Sequence, residues 1–244
     1  MKTATWGTHH ALSLVVIATA MSVGAFAPSA SYGQTSKSVV PVNAEPDHHI
    51  RFENGKVRMY EVMLPKGKST MMHEHRADNF QVFFNDSKVT VEPKGGLPAT
   101  FPVRAGFVAF SSTGLGTYTH RVEGAGDTPF RVIAIELLSA FSATAGTASV
   151  ERPSPPFNVA LRNPKGRAYR VGLDPGESTK TFTRPANTAI FAISSGRISE
   201  QAEGKAPKQW EFNSGNFRWS ETPAILSLKN ESSTRVELVE VEIF

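Results

Sequence analysis

The sequence predicts an all-β protein in which one unit is written twice. Three observations carry that expectation. Past residue 50 the chain is a series of short apolar runs between turn residues. "VRMYEVML", "FQVFF", "FRVIAIELL" and "RVELVEVEIF" hold the β-branched and aromatic residues that suit strands. No long segment sustains a helical apolar period. Finally, "FENGKVRMYEVMLPKGKST" (52–70) aligns without a gap on "LRNPKGRAYRVGLDPGEST" (161–179), at an offset of 109 with nine of nineteen positions identical. The same offset brings "SKV" (87–89) onto "GRI" (196–198) and Gly106 onto Gly215, so the halves are a duplication.

Composition narrows the function classes. A chain of 244 residues suits one large or two small β domains, and 40% hydrophobic content is ordinary for a globular protein. The net charge of +4 comes from scattered basic residues with no arginine-rich run, which argues against a nucleic-acid partner. There is no cysteine, which excludes disulfides, thiolate ligands and a lipid-modified cysteine. Stability must then come from the core or from a bound metal.

Taken in order, residues 1–33 read as a secretory signal. Lys2 precedes the apolar run "ALSLVVIATAMSVGAFA", and the small residues of "PSASYG" offer cleavage after Ala27, Ala30 or Gly33. Export follows, to the periplasm or beyond, with no membrane attachment after cleavage. Residues 45–140 form the first unit. The small and proline-rich stretch 141–156 reads as a linker, and 157–244 form the second unit. The first unit contains His73 and His75 in "MMHEHRADNFQVFF", and His120 in "TYTHRVEGAGD". The second has Phe182 and Arg184 where the first has His73 and His75, and no histidine follows residue 120.

Duplicated β-units of about this size with HxH in the first resemble the cupin superfamily. Its first motif has a glycine, HxH and then a glutamate. Gly67, His73 and His75 match it, while Asn79 stands at the glutamate position. Its second motif has a glycine-containing turn followed by a histidine, matched by "VRAGFVAF" and His120. The lead-in "HHIRFENGKVRMYEVMLPKG" also looks like the opening strand of small exported cupins. The resemblance covers residues 48–138 directly and 157–244 through the repeat. It implies two tandem jelly-roll (double-stranded β-helix) barrels, the second degenerate, with a metal in the first.

On a strand, residues i and i+2 face one side, so the imidazoles of His73 and His75 converge if that side is the barrel interior. His120 then completes a three-histidine site, while Glu74 points away. Asn79 and Gln81 share the parity of the histidines, and either amide offers a carbonyl oxygen to the metal. Tyr118 shares the parity of His120, which makes it and Gln81 the candidate catalytic side chains. His48 and His49 are expected exposed at a strand start, and Met71 and Met72 in the core.

Without a carboxylate ligand, a divalent ion keeps two positive charges, which favours anionic or chelating substrates. The resemblance implies iron(II) first, as in three-histidine cupin dioxygenases, with zinc, manganese or nickel as alternatives and zinc suited to water activation. The expected function is therefore a mononuclear non-haem iron dioxygenase-like enzyme acting on a small molecule. The alternative is a non-catalytic cupin that binds a ligand or metal. A homo-oligomer is compatible with the sequence. The second unit is expected to be structural, its interior apolar on one side and cationic at Arg184.

Overall fold

The computed structural model describes residues 38–139 and 151–244. The expected signal segment, and most of the expected linker, lie outside them. Within the described residues the chain is strand and turn, apart from one 3-10 turn at Val42–Ala44.

The first half contains β1 (Val40–Pro41), β2 (His49–Glu53), β3 (Val57–Leu64), β4 (His73–His75), β5 (Asn79–Phe83), β6 (Ser87–Pro93), β7 (Ala99–Val103), β8 (Val108–Ser111), β9 (Tyr118–Gly124) and β10 (Phe130–Leu137). The second half contains β11 (Phe157–Asn163), β12 (Gly166–Leu173), β13 (Phe182–Arg184), β14 (Thr188–Ala192), β15 (Gly196–Ala202), β16 (Lys208–Phe212), β17 (Phe217–Ser220), β18 (Ala224–Asn230) and β19 (Val236–Ile243). One sheet of the first half runs β1-β4-β9-β6-β7 and the other β2-β3-β10-β5-β8. The second half repeats this as β13-β18-β15-β16 and β11-β12-β19-β14-β17. Each pair of sheets is a double-stranded β-helix barrel with its own apolar filling.

The duplication extends to irregularities. The β2–β3 pairing slips between Ile50 and Phe52, and β11–β12 slips between Val159 and Leu161, which are the same positions at offset 109. The offset becomes 106 from β9 onward, because the connection before Tyr118 is longer than that before Ala224. Leu226 therefore occupies the place of His120: each lies opposite the first residue of its short strand, Phe182 or His73.

The two barrels share a third core, which explains why the strand runs are nearly continuous rather than alternating. Along β3, Tyr60, Val62 and Leu64 fill the first barrel, while Val57 and Met59 face the other way. There they join Phe80, Ile133 and Ile135 against Phe191, Val239, Val241 and Ile243 of the second barrel. Both faces of these strands are buried, so neither face needs polar residues.

Charge is arranged around this shared core with the sign reversed between copies. Glu61 pairs with Arg131, while at the repeated positions Arg170 pairs with Glu237. Each arginine reaches the other barrel's turn glycine. Arg131 lies against Gly215, and Arg170 against Gly106. Both glycines have positive φ (89° and 76°), so each turn requires the residue type that adopts it without strain.

Candidate metal centre

β4 and β9 pair antiparallel, with His73 opposite His120 and His75 opposite Tyr118. This register, together with the two-residue period of β4, turns all three imidazoles into the first barrel. Their ligand nitrogens lie within 4.8 Å of one another. His75 Nε2 and His120 Nε2 are 3.2 Å apart. Two nitrogens each about 2.1 Å from a common ion are separated by about 3.0–3.4 Å at angles between octahedral and tetrahedral. The spacing fits an ion between them.

The hydrogen bonds of the ring nitrogens point the same way. His73 Nδ1 donates to the carbonyl of Met71 at 2.9 Å, which leaves the lone pair on Nε2. That Nε2 is buried and has no hydrogen-bond partner. Such an orphan acceptor is costly in an apolar interior unless something binds it, and a cation answers that need. His75 places Nδ1 3.4 Å from Tyr60 Oη, again leaving Nε2 toward the centre.

All three rings are held neutral. Burial lowers His73 to about 4, helped by neighbouring His48 and partly offset by the Met71 carbonyl. Burial together with His120 and His73 lowers His75 to about 2, and burial with His73 lowers His120 to about 3. Neutral imidazole is the form that ligates. His73 and His75 are buried, whereas His120 and Tyr118 are only half-buried, so the centre lies nearest to solvent on their side.

Asn79 is fully buried beneath this group, on β5. Its Nδ2 donates to Tyr118 Oη at 2.8 Å, and its Oδ1 accepts from Gln81 Nε2, which also donates to Ser111 Oγ at 3.0 Å. Tyr118 in turn stacks on His75, with ring centroids 4.5 Å apart and planes 12° apart. The three polar residues singled out beside the histidines thus form one chain of contacts that ends on a ligand ring. Both atoms of the Asn79 amide already have protein partners.

Contrary to expectation, His48 is not exposed. It is buried, its ring 4.5 Å from His73 and 4.8 Å from Tyr60, and its Nδ1 contacts the carboxylate of buried Glu45. Burial alone would raise Glu45, but His48 and the N–H groups of Met71 and Asp47 more than offset it and hold the carboxyl low. The centre therefore has a carboxylate behind a fourth histidine, so the charge on a bound ion is less bare than three imidazoles imply. The repeat contained the signal, because His48 falls on Phe157 at offset 109, an apolar position. His49 is exposed as expected, and Met71 is exposed rather than core.

The second barrel fills the matching places differently. Phe182, Arg184 and Leu226 replace the three histidines, and Thr188 replaces Asn79. Arg184 is not an unbalanced cation, contrary to expectation. It is buried and pairs with Glu240 at 2.7 Å and Glu200 at 2.8 Å.

No family model matches the sequence, and no curated protein matches it. Solved structures do match. AerE from Microcystis aeruginosa aligns with a TM-score of 0.55 at 10% identity, over 82% of this chain and 98% of AerE. A formate complex of oxalate decarboxylase from Lactobacillus farciminis gives 0.52 at 12% identity, over 81% and 84%. Salicylate 1,2-dioxygenase from Pseudaminobacter salicylatoxidans gives 0.51 at 12% identity, over 78% and 71%. At these identities the likeness concerns the fold, the paired double-stranded β-helix barrels described above.

Proposed function

We propose that the protein is an exported, mononuclear non-haem iron dioxygenase-like enzyme acting on a small anionic or chelating molecule. His73, His75 and His120 would hold the metal. The observation that carries this reading is their convergence as neutral imidazoles around the orphan Nε2 of His73, with His120 only half-buried. The fold neighbours named for oxalate and salicylate add support, since both names denote small carboxylates. When bound, iron(II) supplies a point of substrate chelation and the electrons for reaction with dioxygen.

The chain's own residues set the conditions around that point. Burial raises the Tyr118 hydroxyl above its ordinary value, although Asn79 and Ser111 oppose the rise. Tyr118 therefore stays protonated at neutral pH and acts as a hydrogen-bond donor, not a base. Asn79 fixes its position, and Gln81 fixes Asn79. With no carboxylate among the ligands, a substrate carboxylate meets less competition for the ion's charge. Zinc in the same ligands would favour water activation instead.

A second reading, a non-catalytic ligand- or metal-binding protein, is favoured by one observation. Asn79, at the position of the family's glutamate, is bonded within the protein. Elemental analysis of untagged protein purified from the exported fraction without added metal is the first test. Oxygen consumption with oxalate, salicylate and other small carboxylates is the second. Iron with turnover supports the enzyme, metal without turnover supports the binding protein, and absence of metal defeats both.

A further inference from the structure

The interior of the second barrel contains a group of charges that the first lacks. Glu240 and Glu242 on β19 are fully buried. Ala134 and Glu136 occupy the same places on β10, so Glu242 repeats Glu136 while Glu240 is new. Into this acidic interior comes a side chain from ahead of the barrel. Arg152, within the expected linker, lies with its side chain 1% exposed. Its Nη1 donates to Glu240 at 2.7 Å and its Nη2 to Glu242 at 2.8 Å.

Aromatic rings complete the enclosure. The Arg152 guanidinium carbon lies 5.0 Å from the centroid of Phe157, 4.8 Å from Tyr169 and 4.6 Å from Phe182. These residues repeat His48, Tyr60 and His73 of the first barrel. A planar cation thus occupies the region where the other copy gathers its imidazoles. Two carboxylates that fork one guanidinium, with three ring faces around it, make a cage for that one chemical group. Arg184 donates to both oxygens of Glu240, sharing Oε2 with Arg152, and Arg167 donates to Glu242 Oε2, so both carboxylates are held in place beside Arg152.

We propose that the second barrel is a guanidinium-binding site whose resident occupant is Arg152. The duplication has exchanged one internal cation for another: imidazoles suited to a metal in the first barrel, carboxylates and rings suited to a planar organic cation in the second. Occupied in cis, the site fastens the connecting segment into the barrel. Vacated, it takes monosubstituted guanidines from solution.

The test is rescue of the full-length chain. Arg152→Ala leaves buried carboxylates underbalanced, so its thermal midpoint should fall by about 10 °C. Methylguanidinium chloride at millimolar concentration should restore at least half of that loss, saturably, in Arg152→Ala and not in the wild type. Urea, which has the planar shape without charge, and tetramethylammonium, which has charge without the planar fork, should not. Adding Glu240→Gln to Arg152→Ala should abolish the rescue. If Arg152→Ala does not fold, the same titration is made on Arg152→Lys, whose ammonium cannot fork both carboxylates. Equal effects of methylguanidinium and urea, an equal shift in the wild type, or no rescue in the variant that folds would overturn the proposal.

Discussion

At the scale of single residues, the centre separates ligands from supports. His73→Ala, His75→Ala and His120→Ala should each remove most bound metal, as read by elemental analysis. His49→Ala should leave it, since that side chain is exposed. His48→Ala should weaken metal affinity without abolishing it, by about 10–100-fold, because it removes a ring and a carboxylate contact behind His73. Full affinity in His48→Ala would reduce that residue to packing. The same histidines set a pH response in metal-free protein. Their folded pKa values, about 4, 2 and 3, lie below the ordinary 6.5. The unfolded chain therefore takes up protons that the folded one refuses as pH falls below about 6.5. Their contribution is complete above that value and falls with pH until about pH 4 for His73, 3 for His120 and 2 for His75, at up to about 1.4 kcal/mol per histidine per pH unit. Urea midpoints of chelator-treated protein should decline across that window, and less steeply in His73→Phe/His120→Leu. An unchanged slope would show that other groups carry the acid sensitivity.

At the scale of elements, the turns are where the two barrels lock. A Cβ on Gly215 would come within 2.0 Å of Arg131, whose guanidinium is tied to Glu61 and to the Ser214 carbonyl. Gly106 leaves more room, with 3.1 Å to Arg170. Both substitutions to alanine meet positive φ, at about 1–2 kcal/mol. Gly215→Ala should lose more, because Arg131 must also leave its partners. Chemical denaturation of a double-mutant cycle checks this: in an Arg131→Ala background, Gly215→Ala should cost only the backbone part. Equal costs in both backgrounds would mean that Arg131 is free to swing away.

At the scale of the whole molecule, the shared core makes each barrel depend on the other. An isolated fragment from Pro155 to Phe244 would expose Phe191, Val239, Val241 and Ile243, now covered by the first barrel. It should be poorly soluble and should bind no transition metal tightly. The full chain should hold one such metal, since Phe182, Arg184 and Leu226 stand where the histidines would be. Two tightly bound metals per chain, by elemental analysis, would refute the reading of the second barrel as a metal-free copy.

The sequence alone determined the all-β class, the two-unit repeat and the three histidines, because each depends on short-range order: strand period, gapless alignment and residue type. The positions of Asn79, Gln81 and Tyr118 were legible as parity, yet their joining into one contact chain was not, since hydrogen-bond partners come from three different strands. His48 and Glu45 were missed because burial of a strand-start histidine depends on what packs over it, and local pattern does not record that. The same reason hid Arg152, which read as a linker residue until the barrel closed around it. Arg184 was legible as a cation but not as a neutralised one. Its partner Glu240 lies 56 residues along the chain, and only the pairing of β19 with β12 and β14 brings that carboxylate inside. Tertiary structure decided these points because charge balance in an interior depends on distance in space, where Coulomb attraction and desolvation act.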